Sequence, residues 1–131
     1  MGRSYTSPDT ARRNITIYNM NIFEFSQEII KNCALADFIK ELETILFDDP
    51  VVKFRAKMDN NIFIEIFFNS ETDKHSFALI KNDTRIYGVD NTKDWHVHPF
   101  ENPDAHLHSH PISFKDFIKT LEANKPIWSE T

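Results

Sequence analysis

The sequence predicts an α+β domain, an antiparallel β-meander of four to six strands packed with two α-helices, and three observations carry that prediction. Between Val51 and Val89 apolar residues recur at every second position in four runs, which is the period of a half-buried strand. On either side of these runs the apolar spacing changes to three and four, the period of a helix. The chain has 131 residues, 40% of them hydrophobic and twelve of them phenylalanine, enough for one core and short for two domains.

The elements follow in chain order. Residues 1–13 are rich in Ser, Thr, Pro and Arg and read as a mobile tail, with 14–131 as a single domain. The imperfect alternation of NITIYNMNIFEF predicts a short strand or extended lead-in. Ser26 then stands as the cap of a helix whose stripe is Ile30, Ala34, Phe38, Leu42 and Ile45 or Leu46, with Phe25 and Ile30 as its staple and Pro50 ending the run. Four strands are expected over Val51 to Met58, Ile62 to Asn69, His75 to Lys81 and Arg85 to Val89. The short turns between them require antiparallel neighbours. Ser113 caps a second helix with the stripe Phe114, Phe117, Ile118 and Leu121, and Pro126 follows its end.

Composition narrows the function classes. A net charge of −5 argues against indiscriminate nucleic-acid binding, which depends on neutralising phosphates with Lys and Arg. No run of about 18 apolar residues occurs and the start is polar, so a cytoplasmic protein is expected. The single cysteine, Cys33, excludes an internal disulfide framework and reads as a buried hydrophobe. With two glycines in the chain, a glycine-rich phosphate loop is excluded.

Five of the six histidines fall in the run WHVHPFENPDAHLHSHP, which marks the candidate site. Imidazole is the side chain that both gives and takes a proton near neutral pH, and it is also a metal ligand. If WHVHPF and AHLHSH are fifth and sixth strands, His96 and His98 share one face, and His106, His108 and His110 share one face. Paired positions that sum to 204 unite the two groups, whereas a sum of 205 separates them; the sequence does not choose.

Two chemistries fit. His96, His98, His106 and His108 can supply the base and acid of metal-independent RNA cleavage, each proton transfer contributing about 10²- to 10⁴-fold. Alternatively the cluster can hold Zn²⁺ and activate water, with Asp90, Asp94, Glu101 or Asp104 as further ligand or base. A basic comb, Lys53, Arg55 and Lys57 on one strand face, is a candidate for holding phosphates, with Asp90 and His110 as further substrate contacts. His75, alone on its strand, reads as structural. The string HSHP at His108–Pro111 is similar to the core of JAMM metalloproteases, but Ile118 and Leu121 occupy the positions of that family's serine and aspartate, which rejects it.

From Val51 to Leu121 the arrangement resembles the TumE-type toxins of prokaryotic toxin–antitoxin systems. The likeness rests on a meander entering an Asp-Asn pair in IYGVDN, then histidines, a Phe/Pro-containing spacer, an H-x-H element and a closing helix. His96 or His98 answers to the first histidines, and His106 with His108 to the second element. Ala105 and Leu107 depart from the family's HHKH, and Thr92-Lys93 from its Ala-Pro. The resemblance implies a growth-inhibiting protein neutralised by an antitoxin, usually a helix-turn-helix protein. The ribonuclease activity follows from imidazole chemistry and the basic comb. The reading from another class is a non-catalytic binding module or metal-binding protein. An exposed sheet edge makes a homodimer a candidate assembly.

Overall fold

The computed structural model describes residues 20–59 and 61–129. The expected mobile tail, and the expected strand as far as residue 19, lie outside these. The elements run α1 (Ile22–Leu35), β1 (Glu41–Asp48), β2 (Val51–Asp59), β3 (Ile62–Asn69), β4 (Lys74–Lys81), β5 (Thr84–Asp90), β6 (His96–His98), β7 (Leu107–His108), α2 (Phe114–Ala123) and α3 (Lys125–Ser129). Among the described residues seven strands form one antiparallel sheet in sequence order, an α+β meander with one strand beyond the expected four to six and a third, short helix.

The extra strand corrects the first predicted helix. Residues expected to continue it to Leu46 form β1 instead, paired with β2 from Glu41↔Lys57 to Asp48↔Val51 through a bulge between Thr44 and Leu46. The helix itself begins earlier, and Ile22–Phe25, expected as extended, are its first turn. Asn21, not Ser26, is the cap: its side chain accepts from the Glu24 N–H while the Glu24 carboxylate accepts from the Asn21 N–H. The buried stripe is Ile22, Phe25, Ser26, Ile29, Asn32 and Cys33, one residue out of step with the expected one, which leaves Ile30 54% exposed. The stripe built on Ile30 also carried the period past the true end of the helix, into β-branched and aromatic residues that suit a strand.

The meander itself follows the expected alternation. Val52, Phe54, Ala56 and Met58 of β2, Ile62, Ile64, Ile66 and Phe68 of β3, Phe77 and Leu79 of β4, and Tyr87 and Val89 of β5 are buried on one face. The helices cover that face, with Phe25 stacked on Phe68 at 4.4 Å and Phe117 against Phe77 at 5.5 Å. Ser113 caps α2 by accepting from the Asp116 N–H at 3.1 Å, and Phe114, Phe117, Ile118 and Leu121 are all buried, as the stripe required. Beyond it α3 buries Trp128, whose indole N–H donates to the Leu121 carbonyl at 2.7 Å. No described helix is long and apolar enough to cross a membrane.

Candidate functional site

The uncovered face of the sheet carries the candidate chemistry, because directly opposed residues of antiparallel strands share a face. One row of partners runs Lys53↔Phe67↔Ser76↔Asp90↔His96↔His108, and the neighbouring row runs Arg55↔Glu65↔Ala78↔Gly88↔His98. The pair His96↔His108 sums to 204, so the register is the one that unites the two histidine groups. His106, one residue before β7, joins His96 and His98. Its ring stacks on His96 at 4.7 Å with 5° between the planes and meets His98 edge-on at 4.6 Å, while His96 and His98 are 4.9 Å apart.

Hydrogen bonds determine how the first two rings present their nitrogens. His96 Nδ1 lies 2.9 Å from the Asp94 carbonyl, and His98 Nδ1 lies 3.1 Å from the Pro103 carbonyl. A carbonyl oxygen only accepts, so each Nδ1 carries a proton and each Nε2 is the nitrogen turned toward the rest of the cluster. Both Nε2 atoms converge on Asp90 Oδ2, at 3.3 Å from His96 and 3.2 Å from His98. Burial of Asp90 works to raise its pKa. The backbone and side chain of Thr92, a bond from His98 and the charge of His96 outweigh that effect and hold the carboxyl below its ordinary value.

Residues that the sequence did not single out hold this arrangement. Gly88 sits directly opposite His98; a Cβ there would stand 3.2 Å from Arg85 Cδ and 3.6 Å from His98 Cδ2. The missing side chain leaves room for the Arg85 side chain, and a Cβ would only touch the imidazole at ordinary contact distance. Arg85 donates to the same Pro103 carbonyl at 3.0 Å, so one backbone oxygen ties the 99–105 loop to both β5 and β6. Asn91 accepts from the His75 N–H at 2.8 Å and donates to the Asp73 carbonyl at 2.7 Å. In the Asp-Asn pair, therefore, the aspartate faces the imidazoles and the asparagine fastens the β4–β5 end. A short hydrophobic run gives no sign of which glycine or arginine will meet a loop carbonyl, so these partners had no signal in the sequence.

The other candidates occupy different positions. His98 is 3% exposed and closed off from bulk water, whereas His106, His108 and His110 are exposed. His108 lies across the ladder from His96 at the sheet edge, outside the trio of His96, His98 and His106. His75, read from its isolated position as structural, lies on the core side with its ring 4.8 Å from Phe68 and 5.5 Å from Trp95 and its Nε2 3.1 Å from Asp73 Oδ1. The basic comb shares the histidine face but stands four strands away, roughly 19 Å at the usual strand spacing. Glu65 pairs with Arg55 at 3.1 Å and Glu43 with Lys57 at 3.6 Å, so two of its three cations already have carboxylate partners. A cavity of about 510 Å³ between α1, α2 and the sheet is lined by Phe25, Ile29, Phe77, Trp95 and Phe114, on the face opposite the trio.

This arrangement can hold a proton between a carboxylate and two imidazoles, present a third imidazole to solvent, or gather ligands around a metal ion. No family model, curated protein or solved structure matches the chain.

Proposed function

We propose that this domain is the toxin of a toxin–antitoxin pair and that it cleaves RNA by imidazole acid–base chemistry at Asp90, His96, His98 and His106. The observation that carries the reading is the convergence of two imidazole Nε2 atoms on one carboxylate oxygen beside an exposed third ring. His106 takes the proton of a ribose 2′-hydroxyl. The 2′-oxygen attacks phosphorus, the bond to the 5′-oxygen breaks, and protonated His96 turns the Nε2 proton it shares with Asp90 Oδ2 to that leaving oxygen. The products are a 2′,3′-cyclic phosphate and a 5′-hydroxyl. Asp90 stabilises the imidazolium of His96, and His98 is a positioning residue that holds Asp90 and the 99–105 loop. Exposed His108 and His110, with Lys53, face the phosphates, and an antitoxin, expected as a helix-turn-helix protein, is the partner.

The test is incubation of EDTA-treated protein with total cellular RNA, followed by analysis of the fragment ends. Cyclic phosphate and 5′-hydroxyl ends are expected, with the rate reduced by about 10²-fold or more in folded His106→Ala. Uncut RNA, or equal cutting by the variant, contradicts the reading.

A further inference from the structure

His96, His98 and His106 are gathered as the ligands of one metal ion would be, with Asp90 against the first two, and three features of the geometry lead to a metal site. The first is the orientation of the rings. Histidines that bind a metal through one nitrogen donate the other N–H to a carbonyl or carboxylate, which fixes the tautomer and aims the lone pair. His96 and His98 each do this through Nδ1, onto the carbonyls of Asp94 and Pro103, and both aim Nε2 at one place.

The second feature is spacing. A tetrahedral ion with bonds of about 2.0–2.1 Å has ligand-to-ligand edges of about 3.3–3.4 Å. The contacts from Asp90 Oδ2 to the two Nε2 atoms, 3.3 Å and 3.2 Å, already have that length. One ligand nitrogen from each of His96, His98 and His106 lies within 4.8 Å of the others. In a tetrahedral site every pair of ligands stands at that edge length, so the trio needs a closing movement of up to about 1.5 Å. The side chain that can make it is His106, which is exposed and lies just outside β7.

The third feature is ligand chemistry. Three imidazoles and one carboxylate are a donor set of borderline softness, suited to Zn²⁺ and its neighbours and not to Mg²⁺ or Ca²⁺, which take oxygen. Four protein ligands also make a closed site, with no position left for a reactive water.

We infer that Asp90, His96, His98 and His106 form a closed, tetrahedral site for one zinc-class divalent ion. The inference stands on the geometry of the four side chains. For the ribonuclease reading its consequence is inhibition, because the ion takes the nitrogens that transfer protons. Metal binding and cleavage would then be alternative states of one cluster.

The test uses untagged, EDTA-treated full chain, titrated calorimetrically with Zn²⁺ and spectroscopically with Co²⁺. One equivalent of Zn²⁺ is expected, with an intense tetrahedral Co²⁺ spectrum in the visible. Binding should weaken in folded His106→Ala and Asp90→Asn by more than the roughly 10- to 100-fold typical of losing an outer-shell partner. Circular dichroism of each variant separates lost ligation from lost folding, and since His106 is exposed its variant retains the core. No stoichiometric binding, binding that survives in both variants, a weak octahedral Co²⁺ spectrum, or cleavage that rises with added Zn²⁺ would each overturn the inference. Absence of RNA cleavage from the metal-free protein counts against the ribonuclease reading alone, because ligation is read without RNA.

Discussion

Asp90 is the residue on which the candidate site turns. Its Oδ2 faces two imidazoles and its Oδ1 accepts from the Thr92 N–H at 2.9 Å. These favour its ionised form and depress its pKa below the ordinary value of 3.8. A depressed carboxyl contributes stability that is fully present above the unfolded-state pKa and is lost as pH falls through the lower folded-state value. In the presence of EDTA, the stability gap between wild type and Asp90→Asn in urea should therefore be widest above about pH 4 and shrink below it. A gap that stays constant as the solution is acidified contradicts the assignment. Gly88 gives a second expectation at this scale. Ala in its place would press on the Arg85 side chain at 3.2 Å, and Arg85 shares the Pro103 carbonyl with His98, so Gly88→Ala should reduce the proposed RNA cleavage while circular dichroism keeps the sheet signature. Cys33 is buried and its thiol is pushed up to about 12. It should react with a thiol reagent at neutral pH only at the rate of unfolding, and fast labelling of folded protein would refute that. At this scale the sequence singled out the histidines and Asp90 as candidates, and the structure brings Asp90, His96, His98 and His106 together. Their partners, the Asp94 and Pro103 carbonyls, were not, because any residue supplies a carbonyl and the fold alone decides which one arrives.

The meander and the closing helix could be read at the level of elements because their period and their punctuation agree. In β3 the buried positions Ile62, Ile64, Ile66 and Phe68 keep a strict period of two, and its ends at Ile62 and Asn69 coincide with turn residues. Around Ile30 these signals conflict. Ile29 and Ile30 are adjacent and both apolar, so a one-residue shift of phase gives two plausible stripes, and only packing on Phe68 decides that Phe25 and Ile29 face inward. Leu42, Ile45 and Leu46 fit either period, and pairing with β2 turns them into β1. The true cap is testable: Asn21→Ala should destabilise the protein by about 1 kcal/mol in urea denaturation, whereas loss of the Ser26 hydroxyl, which has no hydrogen-bond partner, should not destabilise comparably in Ser26→Ala. The reverse order would restore the helix start at Ser26. The sixth and seventh strands are so short that alternation alone offered two registers, and backbone pairing of His96 with His108 selected one.

At the scale of the whole molecule, one face of the sheet is committed to the core and the other carries the chemistry. Phe117, fully buried against Phe77 and Tyr87, joins α2 to the sheet. Phe117→Ala should lower stability by about 3–5 kcal/mol, read from equilibrium unfolding, and a loss under 1 kcal/mol would contradict this account of the core. The opposite edge, β1, leaves Ile45, Leu46 and Phe47 exposed, an exposed sheet edge of the kind that makes a homodimer a candidate assembly. Growth arrest by the histidine cluster, as proposed, is tested most directly by inducing the protein in cells that lack an antitoxin. Wild type and Lys119→Ala, altered on the exposed side of α2, should arrest growth, while His106→Ala at equal soluble level should not. Arrest by all three, or by none, would contradict it.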